Sequence, residues 1–190
     1  NQPQLFLRPD DYLTQGDALM AEERYREAIA QYEQALDLQP QNPTIWYKRG
    51  LGLQELDRYE EAIACYDKAI NLDASNGTLW YQRGLALREM RRYEGALSAF
   101  NQALELQPTD HKAWLNRGMT LMRLKQAEDA IASFDKALDI KPDYHEAWVN
   151  RGVALGSLQR HEEAYDAFDR AVQCRPDDAV AWLNRGMALE

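Results

Sequence analysis

Residues 43–76 read PTIWYKRGLGLQELDRYEEAIACYDKAINLDASN. Within this stretch Trp46, Gly50 and Leu53 are separated by four and three places, and Ala62, Ile63, Tyr66, Ala69 and Ile70 follow the same rhythm. Those spacings put each set on one face of an α-helix. Asn42 before Pro43 is a helix start: an amide that caps the first turn, then a residue whose missing N–H costs nothing there. The stretch therefore predicts a pair of helices, from about Thr44 to Glu55 and from about Glu60 to Leu72. Thirty-four residues further on the pattern returns, and it goes on returning: the five tryptophans of the chain are Trp46, Trp80, Trp114, Trp148 and Trp182. Each is followed three and four places later by Arg-Gly, at Arg49-Gly50, Arg83-Gly84, Arg117-Gly118, Arg151-Gly152 and Arg185-Gly186. A fixed period of this length signals an array of repeats that contact mainly their neighbours, and it excludes a single globular core.

With Trp at its fourth place, the repeats run over 9–42, 43–76, 77–110, 111–144 and 145–178, with the first helix of a sixth over 179–190 and an N-terminal extension over 1–8. Place eight is Gly in all six, from Gly16 to Gly186. Place twenty is Ala28, Ala62, Ala96, Ala130 and Ala164; place twenty-four is Tyr32, Tyr66, Phe100, Phe134 and Phe168; place twenty-seven is Ala35, Ala69, Ala103, Ala137 and Ala171. Place thirty-two is Pro40, Pro108, Pro142 and Pro176, with Ala74 as the exception. This succession of Trp, Gly, Ala, aromatic, Ala and Pro resembles the tetratricopeptide repeat. The match departs at Tyr12, which replaces the first Trp, and at the Arg-Gly pair, where the family usually has Leu before Gly. The resemblance implies an all-α right-handed superhelical solenoid of antiparallel helix pairs. Small residues at places eight and twenty are expected to let the two helices of a pair approach. The tryptophans are expected to pack between repeats.

A charge at place seven needs a partner inside a helix seam. Place twenty-five of the preceding repeat offers one, which predicts the pairs Glu33–Arg49, Asp67–Arg83, Asp135–Arg151 and Asp169–Arg185, with the neutral Asn101 facing Arg117.

The chain has 190 residues, with 22 Lys and Arg against 31 Asp and Glu and a formal net charge of −9. That balance argues against nucleic acid, whose phosphates call for a surplus of basic side chains. No apolar run approaches the roughly 18 residues of a membrane span. Two cysteines, Cys65 and Cys174, make no disulfide framework, so a reducing, cytoplasmic setting is expected. Cys174 stands where other repeats have Leu or Ile and is expected to be buried. His111, His145 and His161 have no metal-ligand spacing and are expected on the solvated surface. His161-Glu-Glu-Ala-Tyr165 lacks the second His of a zinc-protease motif. No catalytic residue, metal or cofactor is expected.

By resemblance, the first helix of each repeat lines a concave groove that binds a peptide or helix of a partner protein. The expected groove residues are Tyr47, Lys48, Tyr81, Arg88, Lys112, Asn116, Met119, Met122, Arg123, Asn150, Val153 and Asn184. Asn116, Asn150 and Asn184 share place six, and an amide both donates and accepts, so such a ladder can read a peptide backbone. The methionines suit an adaptable apolar surface. The Lys-and-Asn clamp by which some members of the family hold chain-end carboxylates is not expected, because its places hold Tyr47 and Leu51, Tyr81 and Leu85, or Leu115 and Met119. Two alternatives to a scaffold are a superhelix that self-associates end to end, through an apolar edge at Val180, Trp182 and Leu183, and the regulatory arm of a larger enzyme. Ending inside a sixth repeat suggests a piece of a longer protein, and repeats of this style resemble those of bacterial, notably cyanobacterial, multidomain proteins. Leu5, Phe6 and Leu7 are expected to pack on the first repeat or dock elsewhere.

Overall fold

The computed structural model describes residues 7–188. Among them are eleven helices and no strand: α1 (Pro9–Ala21), α2 (Tyr25–Leu38), α3 (Pro43–Glu55), α4 (Tyr59–Leu72), α5 (Gly77–Glu89), α6 (Tyr93–Leu106), α7 (His111–Arg123), α8 (Ala127–Ile140), α9 (His145–Ser157), α10 (His161–Cys174) and α11 (Ala179–Met187). This is the all-α solenoid class of helical hairpins. The helices form two compact bodies that meet in sequence between Arg91 and Arg92. In the first, α1 to α5 pack each on the next; in the second, α6 to α11 do the same. Leu5 and Phe6 lie outside the described residues, and Leu7 is exposed.

Local chemistry sets where the helices begin and end. The side chains of Asn42 and Asn76 accept from the amides of Thr44 and Thr78, each at 3.0 Å. Asp110 and Asp178 each accept from two amides of the first turn. Tyr144, at the same place, makes no such cap. The turn inside each hairpin passes through a left-handed residue: Glu23, Asp57, Arg91, Lys125 and Gln159 all have φ between 57° and 60°. The next amide then reaches back to the helix, as Arg58 N does to Leu53 O at 2.9 Å, the bond that closes a helix C-terminus of this kind.

In each body aromatic rings are set into glycines. Tyr32, Tyr66, Phe100 and Phe134 are at most 1% exposed. A Cβ placed on Gly16, Gly50, Gly118 or Gly152 would lie 2.4–2.6 Å from the ring of Tyr32, Tyr66, Phe134 or Phe168. Place eight is therefore small to admit the aromatic of place twenty-four.

The tryptophans join one hairpin to the next, as expected, and by a means that spacing did not reveal. Each Nε1–H donates to the carbonyl six residues earlier: Trp46 to Pro40, Trp80 to Ala74, Trp114 to Pro108, Trp148 to Pro142 and Trp182 to Pro176, at 2.8–3.2 Å. Each bond fastens the end of one hairpin to the start of the next. It needs only a carbonyl, so Ala74 serves as well as Pro.

The seam arginines also stand where expected. Arg49 donates to Glu33 Oε1 (2.8 Å), Arg83 to Asp67 Oδ1 (2.6 Å) and Arg151 to Asp135 Oδ1 (2.7 Å). Arg185 Nε lies 2.9 Å from Asp169 Oδ1, out of line for a hydrogen bond, while its Nη2 donates to Tyr165. Arg117 donates to Asn101 Oδ1 at 2.7 Å. Half-exposed pairs of this kind contribute about 0.2–1 kcal/mol each; their greater effect is to set which neighbour each helix faces.

Two expectations are corrected. Cys174 is exposed, because place thirty points outward throughout: its counterparts Leu38, Leu72, Leu106 and Ile140 are 37–53% exposed. His145 is buried, at 7% exposure. Its Nδ1 lies 3.0 Å from the carbonyl of Ala171 and its Nε2 lies 2.6 Å from Asp178 Oδ2. Each ring nitrogen therefore faces an oxygen acceptor. The ring thereby ties the start of α9 to the capping residue of α11.

Candidate functional site

The expected groove residues are distributed over both bodies. In the first body, Lys48 is held by Asp17: Nζ lies 2.8 Å from both carboxylate oxygens. Asp17 also accepts from Tyr32 Oη at 2.8 Å. One carboxylate thus links α1, α2 and α3, and Lys48 stands as a partner in that link. The signal for Asp17 was present in the sequence, since it is the acidic member of a column otherwise filled by Leu51, Leu85, Met119, Val153 and Met187.

Tyr47 is half-buried, tilted against Tyr66 at 6.3 Å between ring centres, and burial raises its phenol. Tyr81 is also half-buried. Arg88 lies against Glu89 at 3.3 Å and borders a cavity of about 300 Å³ with Gln54, Glu55, Asp57, Tyr59 and Leu85. Tyr59 donates to Asp57 at 2.8 Å, and that bond, with burial second, pushes its phenol up to about 12. The cavity therefore presents three acids around one arginine.

In the second body, Lys112 and Arg123 are exposed at opposite ends of α7. Asn116 between them is buried, and its Nδ2 donates to the carbonyl of Lys112 at 2.9 Å. Asn150 does the same toward Glu146 at 2.8 Å and is half-buried, as is Asn184. Two of the three amides thus direct a donor into their own helix. Met119 and Met122 are half-buried against the core of this body. Val153 on α9 is 47% exposed, and on α11 Val180, Leu183 and Met187 are 55–62% exposed. This second body therefore carries exposed apolar side chains on two of its first helices.

Among the described residues no helix is long and apolar enough to cross a membrane, and no group of three or more His, Cys, Asp or Glu is placed to hold a metal ion. Cys65 and Cys174 are free thiols. Cys65 is buried and accepts from Arg49 Nη1 at 3.0 Å; burial is the leading cause that raises its pKa.

Fold and surface together define a helical repeat scaffold. Family models for the tetratricopeptide repeat match residues 16–57, 53–90, 81–145 and 145–178. The chain belongs to the tetratricopeptide repeat family, and it is a scaffold of the general protein-interaction kind that such repeats build. Among solved structures it is similar to YrrB, described as a TPR protein with an unusual peptide-binding site, at 26% identity over 93% of this chain and 91% of that one, with a TM-score of 0.81. It shares its fold with MamA from Desulfovibrio magneticus RS-1, at 21% identity over 90% and 97% of the two chains, with a TM-score of 0.84. The same holds for PilF from Pseudomonas aeruginosa, at 21% identity over 93% and 80%, with a TM-score of 0.80. No curated protein sequence matches the chain.

Proposed function

We propose that this array binds a peptide or amphipathic helix of a partner protein along the first helices of its repeats, framed at residues 9, 43, 77, 111, 145 and 179. The observation that carries this reading is the set of exposed apolar side chains Val153, Leu183 and Met187 in the second body, which also holds the half-buried Met119 and Met122. A partner's apolar side chains bury there, and Asn150 and Asn184 meet its backbone. Asn150 commits its donor to Glu146, so it offers Oδ1 to a peptide N–H. Lys112 and Arg123 add positive charge at the two ends of α7, and Tyr47, Tyr81 and Arg88 serve the first body. No catalysis and no cofactor belong to this reading, and a cytoplasmic setting suits its free thiols. The test is a pull-down with the intact chain against Val153→Asp with Met187→Asp. Loss of the captured proteins is expected. Capture of an unchanged set of proteins would sink the groove reading. Asn150→Ala with Asn184→Ala is the parallel test of the amides.

A second reading, self-association, is favoured by α11. Trp182 is 47% exposed there, and among the described residues nothing lies within 4 Å of a Cβ placed on Gly186, whereas four other glycines of its column meet a ring. Light scattering across a concentration series separates the two readings. Growth in mass that Trp182→Glu with Leu183→Glu abolishes means self-association; constant mass means the groove alone.

A further inference from the structure

The seam arginines allow a comparison within one molecule. Arg49, Arg83, Arg151 and Arg185 each lie within 2.9 Å of a carboxylate on the preceding helix. Arg117 does not. Its Nε donates to Asn101 at 2.7 Å and its Nη1 to Ser133 Oγ at 2.6 Å, both neutral acceptors. Its guanidinium lies 5.7 Å from the ring centre of Trp114. Hydrogen bonds and an aromatic face thus hold the group without neutralising it, and burial works against its charge. Asp129, one turn before Ser133 on α8, is the carboxylate that acts on it from a distance. Asn101 is the one neutral residue in a column otherwise made of Glu33, Asp67, Asp135 and Asp169.

A cavity of about 320 Å³ opens at this point between α6 and α7, lined by Asn101, Leu104, Glu105, Trp114 and Arg117. Glu105, on its α6 side, accepts from Gln102 Nε2 at 3.1 Å. The cavity therefore joins a half-buried guanidinium whose hydrogen-bond partners are all neutral to the apolar surfaces of Trp114 and Leu104. A guanidinium matches a carboxylate in charge and in planar geometry, and partial burial strengthens the attraction.

We propose that the α6–α7 cavity is a binding site for a peptide carboxylate, in which the ligand supplies from outside the acid that the other four seams carry within the chain. Arg117 takes the carboxylate through Nη2, and Trp114 and Leu104 cover an adjacent apolar side chain. The site uses places four and seven of α7, not the groove places. Its failure would leave the groove proposal standing, and the reverse also holds.

The test follows the Arg117 Nε–H and Trp114 Nε1–H signals of the intact chain by NMR during titration with short peptides. Acetyl-Leu-Asp-amide offers a side-chain carboxylate, acetyl-Leu-Leu with a free terminus offers a chain-end one, and acetyl-Leu-Asn-amide is the neutral control. A saturable shift with at least one acid and none with the control is expected, and the acid that binds identifies the source. Asn101→Asp restores the acid found in the other seams, so it keeps the fold and should weaken binding at least tenfold. Arg117→Lys keeps the charge, loses the planar fork and should also weaken it. Absence of a saturable shift with either acid, or undiminished binding in Asn101→Asp, overturns the proposal.

Discussion

At the scale of single residues, the array separates positions that look alike. Gly118 and Gly186 share a column, yet a Cβ on Gly118 would lie 2.4 Å from Phe134, and one on Gly186 would have nothing within 4 Å among the described residues. Gly118→Ala should therefore destabilise by about 1–3 kcal/mol through overpacking, whereas Gly186→Ala should be neutral or slightly stabilising, since Ala is the better helix former by up to about 1 kcal/mol. Denaturant unfolding of the two variants checks this, and equal effects would contradict the ring-in-glycine packing. Asp178 makes a different prediction. Its bond to His145, aided by the Val180 and Ala181 amides, holds its pKa below the usual carboxylate value. A carboxyl whose pKa is lowered in the folded state contributes stability that is complete above its unfolded pKa and is lost as pH falls through the folded one. The wild-type chain should therefore lose thermal stability between about pH 5 and pH 2 more steeply than Asp178→Asn, and thermal melts of both across that range read the difference.

At the scale of the helix and its connections, two devices recur. The left-handed residue that ends each first helix is never glycine: Glu23, Asp57, Arg91, Lys125 and Gln159 all carry a Cβ. A non-glycine in that conformation costs on the order of 1 kcal/mol. Lys125→Gly should thus raise stability by up to about 1 kcal/mol, seen as a higher unfolding midpoint at unchanged slope. A fall in midpoint would mean that Lys125 makes compensating contacts. The other device is the indole-to-carbonyl bond between hairpins. Trp148 packs against two core clusters, so Trp148→Ala should cost about 3 kcal/mol or more. Trp182, 47% exposed, should cost well under half of that. The same bond made five times predicts a difference that only the surroundings create.

At the scale of the whole molecule, stability should be uneven. An array holds each element by its immediate neighbours, and among the described residues α11 packs chiefly on α10, with four large apolar side chains left in water. Its amides should exchange with solvent faster than those of α7 to α10. Hydrogen exchange followed by mass spectrometry reads this directly, and protection of α11 equal to that of α9 would indicate that the chain covers α11 by self-association.

Much of the fold was legible in the sequence because a 34-residue period of Trp, Gly, Ala and aromatic residues is a statement about contacts between neighbours, and neighbours in a repeat are set by sequence. Helix boundaries, the four polar caps and the carboxylate partners of the seam arginines all follow from places in that frame. The candidate site was legible only in part. A column lists which side chains share a place; it does not say how far each reaches into water. Asn116 and Val153 both belong to groove places, yet one is buried against its own helix and the other stands half exposed. Lys48 reads as a groove cation until Asp17 is brought to it from 31 residues away. His145 reads as a surface residue until Ala171 and Asp178 close around it. By itself, then, the sequence determined the repeat, the helices and the partners one period apart. Tertiary structure decided exposure, charge compensation and the cavity at Arg117, because these depend on what several repeats place around a single side chain, and a pattern one repeat long does not encode that.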